Sequence, residues 1–119
     1  MKKFVVHSYE VSPYIPPAHS GTENRRLMGP GGFGSERVEV VLGDIQPGGQ
    51  ADPHSHPGVE QAFFVLEGKA EVEVDGERAV VGPNDFVFFP AGSTHRVTPL
   101  AGSKFRLLIV YNPPLEAAK

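Results

Sequence analysis

The stretch Gly48-Gly-Gln-Ala-Asp-Pro-His54-Ser-His56-Pro-Gly-Val-Glu60-Gln61, with His95 well downstream, decides how this chain reads. Two histidines at i and i+2 on a strand project to the same side, because successive strand side chains alternate faces. Their imidazoles can converge on one point, which is how a strand presents a metal ion. The chain has no cysteine, so thiolate ligands, disulfides and a cysteine nucleophile are excluded together. A metal bound here takes nitrogen and oxygen donors.

Outward from that stretch, 14 glycines and 12 prolines break the chain into short pieces, none with a sustained 3.6-residue apolar period. Strands are predicted over residues 37–45, 61–66, 70–74, 78–81, 85–89, 94–98 and 104–111, with the His-x-His stretch as a further one. Gln46-Pro-Gly-Gly49 signals a turn before the histidines. Asp75-Gly76 supplies a two-residue hairpin turn, since both central residues of a type I′ turn need positive φ. Such a series of short strands predicts an all-β fold, an antiparallel sandwich or small barrel. Residues 1–34 read as an irregular arm and loop, 35–112 as the barrel and 113–119 as a short tail of one domain.

A net charge of −3 with scattered Lys and Arg offers no basic stripe, which argues against nucleic acid and against an anionic membrane surface. Met1-Lys-Lys-Phe-Val-Val6 starts like a signal peptide but meets His7, Ser8 and Glu10 before an apolar region forms. The expectation is therefore a cytoplasmic protein with small-molecule or protein partners. Gly29-Pro-Gly-Gly-Phe-Gly34 lacks the Lys and Ser/Thr of a phosphate loop and reads as a flexible connection or lid.

Residues 48–68 read G-x5-H-x-H-x4-Q-x6-G, and residues 84–95 read N-x5-P-x-G-x2-H. In order and spacing this pair closely resembles the two motifs of the cupin superfamily. The resemblance implies a jelly-roll barrel with one divalent metal ion near its mouth, held by His54, His56, the residue at position 61 and His95. Gln61 stands where the family usually has glutamate, with Glu60 one residue out of register. A regular pleat turns Gln61, Phe63 and Val65 inward and Glu60 outward, whereas a bulge would reverse them. Asn84 replaces a family glycine and can keep its left-handed turn. Pro99 replaces an asparagine and should alter only the following loop.

With Gln61 as fourth donor the site keeps the metal's full charge and favours anionic chelating ligands. Proton transfer then falls to another group, for which Glu60, His19 or a metal-bound hydroxide are the candidates. His7 and His19 otherwise read as exposed loop residues. Phe63, Phe64, Phe86, Phe88 and Phe89 read as core, with Phe63 and Phe88 as candidate pocket residues. Tyr14, Asn24, Arg25 and Arg26 are surface residues by default, and Arg26 is the candidate partner for a substrate carboxylate. The metal is open among Fe, Mn, Ni, Zn and Co. Three functions follow: an O2-using dioxygenase or oxidase acting on an enolic or anionic chelating substrate, a metal-dependent isomerase or lyase of small sugar acids, or a non-catalytic binding module. Relatives commonly bury an arm against a neighbour, so a homodimer through residues 1–17 is expected.

Overall fold

The computed structural model describes residues 4–17, 19–51 and 53–115. Eight strands follow in order: β1 (His19–Met28), β2 (Glu39–Ala51), β3 (Glu60–Glu67), β4 (Ala70–Val74), β5 (Glu77–Val81), β6 (Phe86–Phe89), β7 (His95–Pro99) and β8 (Phe105–Asn112). They form a five-stranded antiparallel sheet, β1-β2-β8-β3-β6, and a three-stranded one, β5-β4-β7. Among the described residues the only helical turn is the 3-10 turn Ser8–Glu10, and no helix is long and apolar enough to cross a membrane. The fold is the all-β antiparallel jelly roll that the motifs imply.

Alternation builds the core. On β3, Phe63 and Val65 are fully buried while Phe64 and Leu66 face outward. Phe63 meets Phe89 and Phe105 edge to face, with ring centroids 5.7 and 6.1 Å apart, a favoured aromatic geometry. Asp75 and Gly76 both have positive φ, as the type I′ turn requires, and Asn84 sits at φ 74°. Each is the left-handed position the sequence predicts.

Two expectations need correction. The stretch read as an irregular arm contains β1, a ten-residue strand paired along β2. Its inward side chains Thr22 and Asn24 are buried yet polar, so it lacks the alternating apolar signal by which strands are recognised. The turn at Gln46-Pro-Gly-Gly49 does not end a strand either. The pairing jumps from Ser20↔Gln50 to Thr22↔Ile45, so these residues form a bulge opposite Gly21 and β2 continues past it. The glycines there are required, because Gly48 takes a φ of +81° and a Cβ on Gly49 would lie 2.7 Å from the Ile45 side chain.

Phe64, Phe86 and Phe88 also depart from the reading of the phenylalanines as core, since all three are exposed on the outer face. On β6 only Val87 and Phe89 turn inward.

Candidate metal centre

His54 and His95 form an isolated antiparallel bridge in which each backbone N–H donates to the other's carbonyl, at 3.1 and 2.9 Å. Directly paired residues point their side chains to the same side of a ladder, so the two rings meet with centroids 4.5 Å apart. The His56 carbonyl accepts from Val59 and Gly92, and its ring closes the triangle at 5.0 Å from His54 and 5.4 Å from His95. One nitrogen from each ring lies within 4.8 Å of the other two.

His95 is the most tightly placed of the three. Its ring stacks on Phe89 at 4.1 Å, nearly parallel, and is only 4% exposed. The preceding residue, Thr94, is gripped by the β4–β5 turn: Thr94 N–H donates to the Asp75 carboxylate and the Asp75 N–H donates to the Thr94 carbonyl, both at 2.8 Å. Burial, then the neighbouring His54 and His56, push the His95 imidazolium down to about 4, against smaller opposing effects of the Ser93 backbone and Asp75. The Ser93 backbone favours the charged ring without reaching hydrogen-bond geometry with either ring nitrogen. A buried imidazole held neutral keeps its lone pair available as a ligand.

Gln61 is buried and lines the same pocket as His54 and His95. Its register on β3 runs unbroken through Gln61↔Phe89 and Gln61↔Tyr111, so no bulge exchanges it with its neighbour. Glu60 is exposed, 3.5 Å from Asn112 Nδ2. As a candidate acid or base it is corrected by the pleat, which turns it away from the pocket.

The other candidates divide. Phe63 lines the pocket, whereas Phe88 is about half exposed on the opposite face, again a consequence of the pleat. Arg26 does not line it. Its Nε donates to the Glu39 carboxylate at 2.7 Å and its guanidinium lies 4.7 Å over the Tyr14 ring, so its charge is already matched inside the fold. His19, expected in an exposed loop, stands on β1 and lines the pocket, its ring 5.6 Å from that of His54. Burial, and then His54, lower its pKa.

Thr22 and Tyr111 complete the polar lining and escaped the sequence reading; Asn24, read as a surface residue, joins them. The Tyr111 ring lies edge-on to His56 at 6.1 Å, and burial, with Tyr14 and Glu39 nearby, pushes its phenol above its ordinary value. The rest of the lining is apolar, including Ile45, Phe63, Leu107 and Ile109. No Asp, Glu, Lys or Arg is among the described residues that line the pocket.

The donor set fits a divalent ion. Both ring nitrogens of His95 and Oε1 of Gln61 are buried without hydrogen-bond partners, which is costly for polar atoms unless a ligand or solvent satisfies them. Three imidazoles with one oxygen donor suit Zn, Ni, Fe, Mn or Co.

A family model described as a cupin domain matches residues 41–111. A β-D-galactosidase of Mycobacterium tuberculosis is 33% identical over 106 residues, covering 88% of this chain and 90% of that protein. The dimethylsulfoniopropionate lyase DddQ of Ruegeria pomeroyi is 33% identical over 94 residues, covering 77% of this chain and 46% of the lyase. Among solved structures, the polyketide cyclase RemF of Streptomyces resistomycificus superposes with a TM-score of 0.82 at 28% identity, covering 92% of this chain and 79% of the cyclase.

Proposed function

The chain belongs to the cupin family, and on that premise we propose that it is a mononuclear metal enzyme that rearranges or cleaves a small oxygen-chelating substrate without consuming O2. His54, His56, His95 and the amide oxygen of Gln61 would hold the ion. When bound, the ion supplies Lewis acidity to a carbonyl or enolate oxygen, and four neutral protein donors leave its charge undiminished.

The observation that carries this reading is the pocket's lining: imidazole, amide and hydroxyl groups on one side, hydrocarbon on the other, and no charged side chain among the described residues. An anionic or enolic substrate would then meet no competing carboxylate. Phe63, Leu107 and Ile109 would pack its carbon skeleton and keep water out. Thr22 and Asn24 offer a hydroxyl and an amide to its remaining oxygens. His19 is the side chain placed to hold or move a proton, at the buried Nδ1 that has no protein partner. The names of DddQ and RemF, a lyase and a cyclase, fit this class, while a quercetin 2,3-dioxygenase of Bacillus subtilis, 32% identical over 108 residues, fits the oxidative one that the test below separates from it.

The test is reconstitution with Zn, Ni, Mn, Co and Fe in turn, followed by screening small keto acids, enols and uronates with an oxygen electrode and product mass spectrometry. The reading predicts metal-dependent turnover that persists under argon and gives products containing no added oxygen. Turnover that stops under argon and consumes O2 stoichiometrically would replace it with the dioxygenase reading.

A further inference from the structure

We propose that the β1 wall of the pocket selects its substrate by a hydroxyl group: beyond the oxygens that chelate the ion, the substrate carries an O–H that Asn24 and Thr22 hold, in a space that Gly43 leaves open. The inference rests on the metal-enzyme reading above and adds what stands at the other end of the substrate.

Thr22 and Asn24 lie two apart on β1, so both side chains turn to the barrel interior, and each is 4% exposed. There they share the pocket lining with Ile45, Leu107 and Ile109. Thr22 Oγ1 and Asn24 Oδ1 are buried without a hydrogen-bond partner among the described residues. Each unpaired buried polar atom costs about 1–3 kcal/mol, so hydrocarbon of the same shape would serve the fold better. The proposed ion takes up the unpaired atoms of Gln61 and His95 and leaves these two over.

Gly43 stands opposite Asn24 on the β1–β2 ladder and opposite Leu107 on the β2–β8 ladder. The Asn24 backbone N–H and carbonyl both bond to Tyr14, at 2.8 Å. Asn24 and Gly43 are therefore a pair without mutual backbone bonds, the kind whose side chains lie closest. A Cβ on Gly43 would sit 3.1 Å from Asn24 Oδ1, 3.2 Å from Leu107 Cδ2 and 3.3 Å from Ile109 Cδ1. Gly43 is not among the residues with positive φ, so the backbone does not demand a glycine there. The space beside the Asn24 carboxamide does.

The chemistry of the two groups names the partner. An amide oxygen only accepts, so what meets Asn24 Oδ1 must donate, and a hydroxyl donates to it while its own oxygen can accept from Thr22. A carboxylate has no proton to give and finds no Lys or Arg among the described lining residues. A hydrocarbon chain would leave both groups unpaired, and a site built to bond a hydroxyl rejects the analogue that lacks it.

Three five-carbon 2-oxo acids with the same chelating end test this by calorimetric titration into cobalt-loaded protein: 4-hydroxy-2-oxopentanoate, 2-oxopentanoate and 2-oxoglutarate. The hydroxylated acid should bind at least about tenfold more tightly than either of the others, and the double variant Thr22→Val, Asn24→Leu should reduce that preference to within about threefold. The double variant should still take up cobalt, and its metal-free form should melt no lower than wild type, because two unpaired polar atoms have become hydrocarbon. Equal binding of the three acids, tightest binding of 2-oxoglutarate or 2-oxopentanoate, or a preference that survives in the double variant overturns the proposal and leaves the metal-enzyme reading standing. A double variant that melts lower or does not fold assigns Thr22 and Asn24 to the fold and equally overturns it. Binding of none of the acids to the cobalt-loaded protein removes the metal-enzyme reading, and this inference with it.

Discussion

His54 and His95 stand on a backbone pair tied by two hydrogen bonds, whereas His19, Thr22 and Asn24 reach the same pocket from an edge strand whose register slips at Gly21. The two walls differ in how firmly they are placed. On the histidine wall, the 54–95 bridge, the stacking on Phe89 and the Asp75 clamp on Thr94 all fix the rings. On the β1 wall, the pairing with β2, the bridge of Tyr14 to Asn24 and the ion pairs of Arg25 with Asp44 and Arg26 with Glu39 hold the strand. Metal ligands tolerate displacements of a few tenths of an ångström, while the rest of a substrate site can be looser. On the proposed function, cation binding would belong to the first wall and substrate choice to the second.

The largest expected effect breaks the first wall. His95→Ala should weaken divalent-ion binding by about a hundredfold or more, since even outer partners of ligands cost 10- to 100-fold. Calorimetric titration of the apoprotein with Zn or Ni measures it.

Acid should act on the same wall. The folded state holds His95 near 4 while an unfolded histidine titrates near 6.5. Between those values the unfolded chain binds more protons, so stability is full above about 6.5 and falls progressively as the pH drops through 4. The loss reaches at most about 3 kcal/mol. Melting of the apoprotein between pH 7 and 4 should show it, and His95→Phe should flatten that dependence.

Gln61→Glu sharpens the comparison by adding one negative charge to the histidine wall. Cation affinity should rise by at least about tenfold, since a carboxylate about 4 Å from a doubly charged ion gains about 2 kcal/mol even at the dielectric of water. Loss of the ion in this variant would remove Gln61 from the donor set.

Asp75→Ala is a smaller perturbation. It removes the carboxylate clamp on Thr94 and should cost about 1 kcal/mol in denaturant unfolding.

The smallest effect on ion binding lies on the second wall. His19→Gln should leave ion affinity within about threefold while turnover falls by about a hundredfold, the usual contribution of a positioned acid or base. An equal loss of ion and activity would merge the two walls into one.

How much of this was legible follows from the same contrast. The motif spacing on 48–68 and 84–95 pointed to three histidines on one barrel because strand period and turn chemistry are local: His-x-His shares a face, and Asn84 and Asp75-Gly76 take the left-handed angles their turns need. The inward placement of Gln61 over Glu60 followed from the same period of two. β1 was not legible. Its sequence His-Ser-Gly-Thr-Glu-Asn-Arg-Arg faces a polar pocket inward and solvent outward, so neither face carries an apolar signal, and it becomes a strand only by pairing with β2. His19, Thr22 and Asn24 were lost with it. Arg26 was misread because its partner Glu39 lies thirteen residues away across that unseen pairing. Phe88 was misread because an outward phenylalanine violates the default burial of its type.

The most direct test of the histidine wall is elemental analysis of wild-type protein purified without a histidine tag, beside His54→Ala and His95→Ala. A mononuclear centre predicts close to one divalent ion per chain in wild type and loss of that ion in both variants. A stoichiometry near zero, or one that neither variant changes, would contradict it.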